Sequence, residues 1–154
     1  MSVIPKRMTG FTMVEMIAIM VLLGILSVVA YGRLNLNPIR EGAFREEMRA
    51  SIRFAQKFAL VSACDVNVAT GNFGYRLMLR ADVGVSSDCL SATGAFTQAL
   101  NRPGGGVYAE APPTGVAVSA SNFSFDRQGV PSSGVTITLG SGTIQVEPET
   151  GWVQ

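Results

Sequence analysis

The chain has 154 residues, a formal net charge of +1 and no histidine, and 47% of its residues are apolar. That length suits one domain with a real core and is too short for two ordinary ones. Without histidine, and with Cys64 and Cys89 as its two thiols, the chain excludes histidine-triad catalysis and most metalloenzyme chemistry, while near-neutral charge argues against a surface built wholly for nucleic acid.

The first feature in chain order is the pair Lys6 and Arg7, followed by an apolar run. From Phe11 to Tyr31, 17 of 21 residues are apolar, and no charged residue falls between Met16 and Gly32. At helical rise this run reaches about 31 Å, the thickness of a bilayer's hydrocarbon core. The preceding cations predict an N-terminus held in the cytoplasm and an exported remainder. Three readings suit such a segment: a secretory signal cleaved after Val28-Val29-Ala30, an uncleaved signal anchor, or a segment in which Glu15 has a task of its own. The first two leave Glu15 unexplained, because an acid near the bilayer centre costs about 2.5–3.5 kcal/mol, and somewhat less near the edge.

The stretch Lys6-Arg7-Met8-Thr9-Gly10-Phe11-Thr12-Met13-Val14-Glu15, with the apolar residues Met16 to Leu26 behind it, closely resembles the class III signal of type IV pilins and type II secretion pseudopilins. The resemblance implies a leader over 1–10, cleavage by a prepilin peptidase between Gly10 and Phe11, and N-methylation of Phe11. It implies a transmembrane and assembly helix over 11–36. Glu15 then falls at the fifth mature position, one helical turn from the new amine. In a packed, low-dielectric bundle that carboxylate and the amine of a neighbouring subunit would neutralise each other, giving Glu15 a role in assembly. The implied partners are other pilins or pseudopilins, the prepilin peptidase and the bacterial inner membrane, which the chain would cross once with its C-terminal domain in the periplasm. No cofactor, metal or small-molecule substrate is expected. Many major pilins carry a proline near mature position 22; here that place is Gly32 and the next proline is Pro38, so a kink or break is expected near residues 35–38.

Past Pro38, Phe44, Met48, Ile52, Ala55 and Ala59 recur at three- and four-residue spacing, predicting an amphipathic exported helix over 38–63. Beside this stripe runs a row of cations at i, i+4, namely Arg45, Arg49, Arg53 and Lys57, preceded by Glu41. Like charges at that spacing repel by a few tenths of a kcal/mol per pair, so the row does not serve helix stability. It reads as a solvated face balanced by Glu46 and Glu47, as a contact row for acidic neighbouring subunits or lipid headgroups, or as a DNA contact. Residues 33–57 hold 6 positive and 3 negative side chains, 6 − 3 = +3, with no aromatic stacking pattern beside them.

The remainder, 64–154, reads as a β-rich periplasmic domain. Residues 65–70 alternate, as do 75–80 in part, and Gly71-Asn72-Phe73-Gly74 between them suits a hairpin turn. Residues 81–106 and 110–121 read as loops. Three further strands are expected over 122–126, 135–139 and 143–147. In an exported bacterial domain Cys64 and Cys89 most simply form one disulfide. The segment Phe123 to Gly129, the two strands after it and the closing Thr150-Gly151-Trp152-Val153 resemble the C-terminal block of H-type pseudopilins and T-type minor pilins. The stretch Phe54 to Leu60 with Cys64-Asp65-Val66 is similar to minor pilins of the mannose-sensitive haemagglutinin system. Phe125 and Trp152 read as core residues at strand positions.

The fold class is therefore α+β: a long N-terminal helix packed on an antiparallel β domain, expected as a small sandwich. The function implied is a minor pilin or pseudopilin that joins or primes a type IV pilus or type II secretion pseudopilus. The alternative is a DNA- or surface-binding minor pilin. With no carboxylate pair or nucleophile motif, an enzyme is not expected.

Overall fold

The structure is a computed structural model that describes residues 11–31, 36–81, 89 and 92–154. Leader residues 1–10, including Gly10, and residues 32–35, where part of the expected break falls, lie outside the described ones. The chain divides into two compact units, residues 1–36 and 37–154.

The first unit contributes α1 (Met13–Tyr31), 19 residues long. Its large apolar side chains point outward all round, with Ile17, Leu22 and Leu26 each more than half exposed. Nineteen residues rise about 28 Å, marginally short of a bilayer core of about 30 Å. Among the described residues no helix is long and apolar enough to cross a membrane. The expected span 11–36 continues through the residues left undescribed.

In the second unit, α2 (Asn37–Ser62) begins with Pro38 in its first turn, where the missing N–H has no helical partner to lose. The periodic stripe is its core face: Phe44 is 5% exposed and Met48, Ile52, Ala55 and Ala59 are fully buried. Among the described residues seven strands follow: β1 (Val66–Gly71), β2 (Gly74–Arg80), β3 (Phe96–Ala99), β4 (Ala109–Glu110), β5 (Ser121–Phe125), β6 (Val135–Leu139) and β7 (Gly142–Val146). All pairs are antiparallel. One sheet runs β3-β2-β1-β5, with β4 also on the outer edge of β2; β6 and β7 form a separate hairpin.

The β1–β2 turn falls where its glycines place it. Gly74 has φ +88°, and a Cβ there would stand 1.8 Å from the Glu110 carbonyl oxygen, so only glycine lets β4 approach. Strands β1 and β5 pair from Val66↔Phe125 to Thr70↔Ser121, which puts Val66, Val68, Phe123 and Phe125 into the core. Val118 bridges Leu139 just upstream of β5, and Val153 bridges Val146, so the β6–β7 hairpin gains a short partner on each edge. Helix α2 touches β1, β2, β5 and β7, and one core joins all of them. Helix on antiparallel sheet is thus the observed layering; in place of the expected sheet-on-sheet sandwich, α2 supplies the layer that both sheets share.

The expected loop 81–106 hides the short strand β3, and the two-residue β4 straddles the start of the expected loop 110–121. Both are edge strands of two to four residues with largely exposed side chains, too short to give an alternating signal. Residues 82–88, within the first of those loops, lie outside the described ones.

Helix α2 ends in strain. Ala63 has φ +52°, a left-handed conformation that disfavours a Cβ. Ser62 Oγ meanwhile donates to the Phe58 carbonyl and accepts from the Cys64 N–H, closing the helix end. Ala63→Gly is expected to stabilise the folded chain by about 1 kcal/mol, raising Tm by several degrees in detergent solution. A lowered Tm would show that the helix end tolerates Ala63 without strain.

Candidate functional site

Two regions carry the residues singled out in the sequence. The first is the start of α1. Phe11 precedes the helix and is 71% exposed. Thr12 caps it: its Oγ1 accepts from the Glu15 N–H at 3.3 Å and its carbonyl accepts the Met16 N–H at 3.2 Å. Glu15 is the acid in the first turn. Thr12 and Glu15 therefore have the spacing of a capping box, of which the Thr12 half is made, and the carboxylate lies where the helix dipole favours it. Sequence reasoning gave Glu15 an assembly role and missed this local one, although Thr-x-x-Glu before an apolar run is a legible start signal.

The second region is the polar side of α2. Arg45, Arg49, Arg53 and Lys57 do lie along it, but they do not form one open contact row. The Arg45 guanidinium packs against Gly142 so closely that a Cβ there would meet Nη1 at 1.8 Å. Arg49 pairs with Glu46. Arg53 donates from Nε and Nη2 to the Val153 carbonyl, at 3.3 and 2.9 Å. Lys57 is exposed and, with Arg53, Gln56, Trp152 and Val153, lines a depression of about 260 Å³.

Neighbouring polar residues of α2 do similar work. Glu41 Oε1 accepts from the Ser141 N–H at 2.7 Å and from its hydroxyl at 2.9 Å, at the tip of the β6–β7 hairpin. These bonds and the nearby Arg45 hold the Glu41 carboxyl below its ordinary pKa. Gln56 Nε2 donates to the carbonyls of Gly129 and Thr150. Deeper in, Ser51 donates to Tyr75 Oη at 3.0 Å, Tyr75 donates to Glu47 at 3.0 Å, and Arg102 donates to both, at 2.9 and 3.1 Å. Burial of the ring raises the Tyr75 pKa, and the adjacent Glu47 raises it further.

Cys64 and Cys89 form a disulfide with their Cα atoms 4.7 Å apart. Beside it Arg80 donates twice to Asp65 Oδ2, at 2.9 and 3.1 Å, and once to the Gly94 carbonyl at 3.0 Å, tying the residue after Cys64 and Gly94 to the end of β2. Among the described residues, no group of His, Cys, Asp or Glu could hold a metal ion. Trp152 corrects the sequence reading. Phe125 is fully buried as expected, whereas Trp152 is 61% exposed. Val153 takes the core position instead, because alternation along the closing segment turns one side chain inward and its neighbour outward.

Residues 5–31 match the prokaryotic N-terminal methylation motif. That motif supports a type IV pilin-like protein processed by prepilin peptidase. No curated protein and no solved structure matches the chain.

Two titrations test the polar side of α2. Because Glu41 is depressed, the stability it contributes is present above the ordinary carboxylate range and is lost as pH falls through its folded value. Glu41→Gln should therefore flatten the acid limb of a stability–pH profile; an unchanged limb would remove Glu41 from the clamp. For Tyr75 the sign is opposite. Its contribution is full below the ordinary tyrosine value and is lost as pH rises towards the folded one. Tyrosinate absorbance should show one late-ionising tyrosine that disappears in Tyr75→Phe, and a profile with all tyrosines ionising together would contradict the network.

Proposed function

We propose that the chain is a prepilin-peptidase substrate that is stored in the inner membrane by residues 11–36 and then enters or primes a periplasmic fibre as a minor pilin or pseudopilin. The observation that carries this reading is the methylation-motif match over 5–31, a range that contains Phe11 and Glu15. Cleavage between Gly10 and Phe11 leaves the apolar helix whole and creates an amine next to the exposed Phe11. A helix apolar on every side needs either lipid or other apolar helices around it, and fibre entry exchanges one for the other. In the packed state the Glu15 carboxylate of one subunit meets the Phe11 amine of the next. The disulfide suits a domain in an oxidising compartment such as the periplasm. Likeness of the C-terminal block to H-type pseudopilins and T-type minor pilins supports a minor rather than a major subunit. This reading assigns the chain a structural role and no enzymatic one.

A DNA-binding role gains no support from the geometry. Arg45 and Arg53 are turned onto the chain's own hairpin and C-terminal segment, and Arg49 is paired with Glu46. Little charge remains to neutralise consecutive phosphates.

N-terminal analysis of the membrane-extracted protein should find N-methyl-Phe11. An N-terminus at Tyr31 would mean a cleaved secretory signal and would end the fibre reading. Glu15→Gln separates the two tasks of Glu15, because glutamine also serves at the third position of a capping box but carries no charge. The variant should be processed normally and recovered in sheared fibres at a small fraction of the unsubstituted level. Equal recovery would leave Glu15 with its capping role alone.

A further inference from the structure

The single tryptophan is the largest side chain that the second unit leaves exposed, and its backbone is anything but loose. Flanking residues Gly151 and Val153 are buried. The Gly151 N–H donates to the Glu147 carbonyl at 2.9 Å, the Trp152 carbonyl accepts from the Glu147 N–H at 3.0 Å, and the Val153 carbonyl holds Arg53. Gln56 ties the same segment to α2 through Thr150. The indole is thus presented to solvent from a fixed frame, a preorganised arrangement that lowers the entropy lost on binding. Arg53 lies 5.8 Å from the ring centroid, and Lys57 stands one turn further along α2, across the depression of about 260 Å³.

We propose that this depression is a docking site for an acidic peptide segment, with Trp152 stacking on an apolar or proline side chain and Lys57 and Arg53 pairing with a carboxylate. Trp and Arg are the residues most enriched among interface hot spots, and an aromatic face beside cations suits an apolar group that carries a nearby negative charge. Arg53 is exposed and uses Nε and Nη2 on Val153, which leaves Nη1 for a partner. Glu147 and Glu149, in the loop that leads to Trp152, disfavour a continuous polyanion there, whereas a single carboxylate can settle between the two cations. A protein segment therefore fits better than a nucleic acid. That the segment comes from a neighbouring fibre subunit rests on the function proposed above; the chemistry of the depression does not.

The lone tryptophan supplies its own readout. Full-length protein in detergent is titrated with a short, capped, water-soluble peptide of proline and serine that carries one glutamate, and with its counterpart in which glutamine replaces that glutamate. The acidic peptide should change the Trp152 emission saturably, and the glutamine peptide should bind at least about tenfold more weakly. Lys57→Gln should weaken the acidic peptide about fivefold with Tm unchanged, since Lys57 is exposed. Trp152→Phe, followed by calorimetry, should weaken it as well. The proposal is overturned by absence of a saturable change, by equal binding of the two peptides, or by tighter binding of an oligothymidylate, which would assign the site to nucleic acid. None of these results bears on whether Phe11 is methylated.

Discussion

Seating α2 on β1 is the constraint on which the rest of the second unit depends. Met48 and Ile52 fill the space above the sheet, while Ala55 and Ala59, also fully buried, keep the helix close to the strands one and two turns later. Larger residues at those two positions would lift the C-terminal half of α2 and pull Ala63 and Cys64 out of register with β1. The packing also fixes the rotation of α2. With the stripe facing the sheet, Ser51 is carried inward beside the Tyr75 hydroxyl, where the hydrogen bond makes its burial tolerable. Glu41, Arg45, Arg53 and Gln56 come to lie along the side that borders the β6–β7 hairpin and the last residues of the chain.

That border explains why the hairpin stays in place. Two strands alone are marginally stable in water, and β6–β7 is separate from the larger sheet. It buries Ile137, Leu139, Ile144 and Val146 in the shared core. Glu41 holds its tip, Arg45 covers Gly142, and Arg53 and Gln56 hold the closing segment that pairs along β7. A row of like charges that weakens an isolated helix is thus put to use by tertiary contacts. The few tenths of a kcal/mol of repulsion per pair are small beside the hydrogen bonding of the charged Arg53 to the Val153 carbonyl, a kind of bond worth about 1.5–3 kcal/mol.

How much of this was legible in the sequence follows from the range of each signal. The α2 stripe, the Gly71–Gly74 turn and strands β1, β2, β5, β6 and β7 are written in local periodicity and turn residues, and they appear close to where the sequence placed them. The edge strands β3 and β4 were not legible, because their pairing comes from the outer edge of β2 rather than from any pattern of their own. The destination of the arginines was equally hidden. Arg53 and Val153 are 100 residues apart, and no local pattern links them. Trp152 was misread because burial of aromatics is a tendency across proteins, whereas the facing of each residue in a closing segment is set by its register against β7.

Under the function proposed above, Glu15 would combine a local role with one in assembly. At the third position of α1, next to a Thr12 cap, a carboxylate favours the helix dipole by a few tenths to about 1 kcal/mol. Its burial in lipid costs more than that, about 2.5–3.5 kcal/mol at the bilayer centre and less at the edge. Capping alone therefore does not account for an acid there, since aspartate, serine or threonine could supply cap contacts at the flanking positions, further from the apolar run. What would offset the cost is a positive charge brought within one helical turn. On the proposed cleavage between Gly10 and Phe11, Lys6 and Arg7 would leave with residues 1–10 and the Phe11 amine would stand in their stead. The charge balance at the start of α1 would then be carried by one amine and one carboxylate. Such a pair could be satisfied within a subunit or exchanged between neighbours, and on the proposed function that exchange is what a helix leaving lipid for a bundle of its own kind would require.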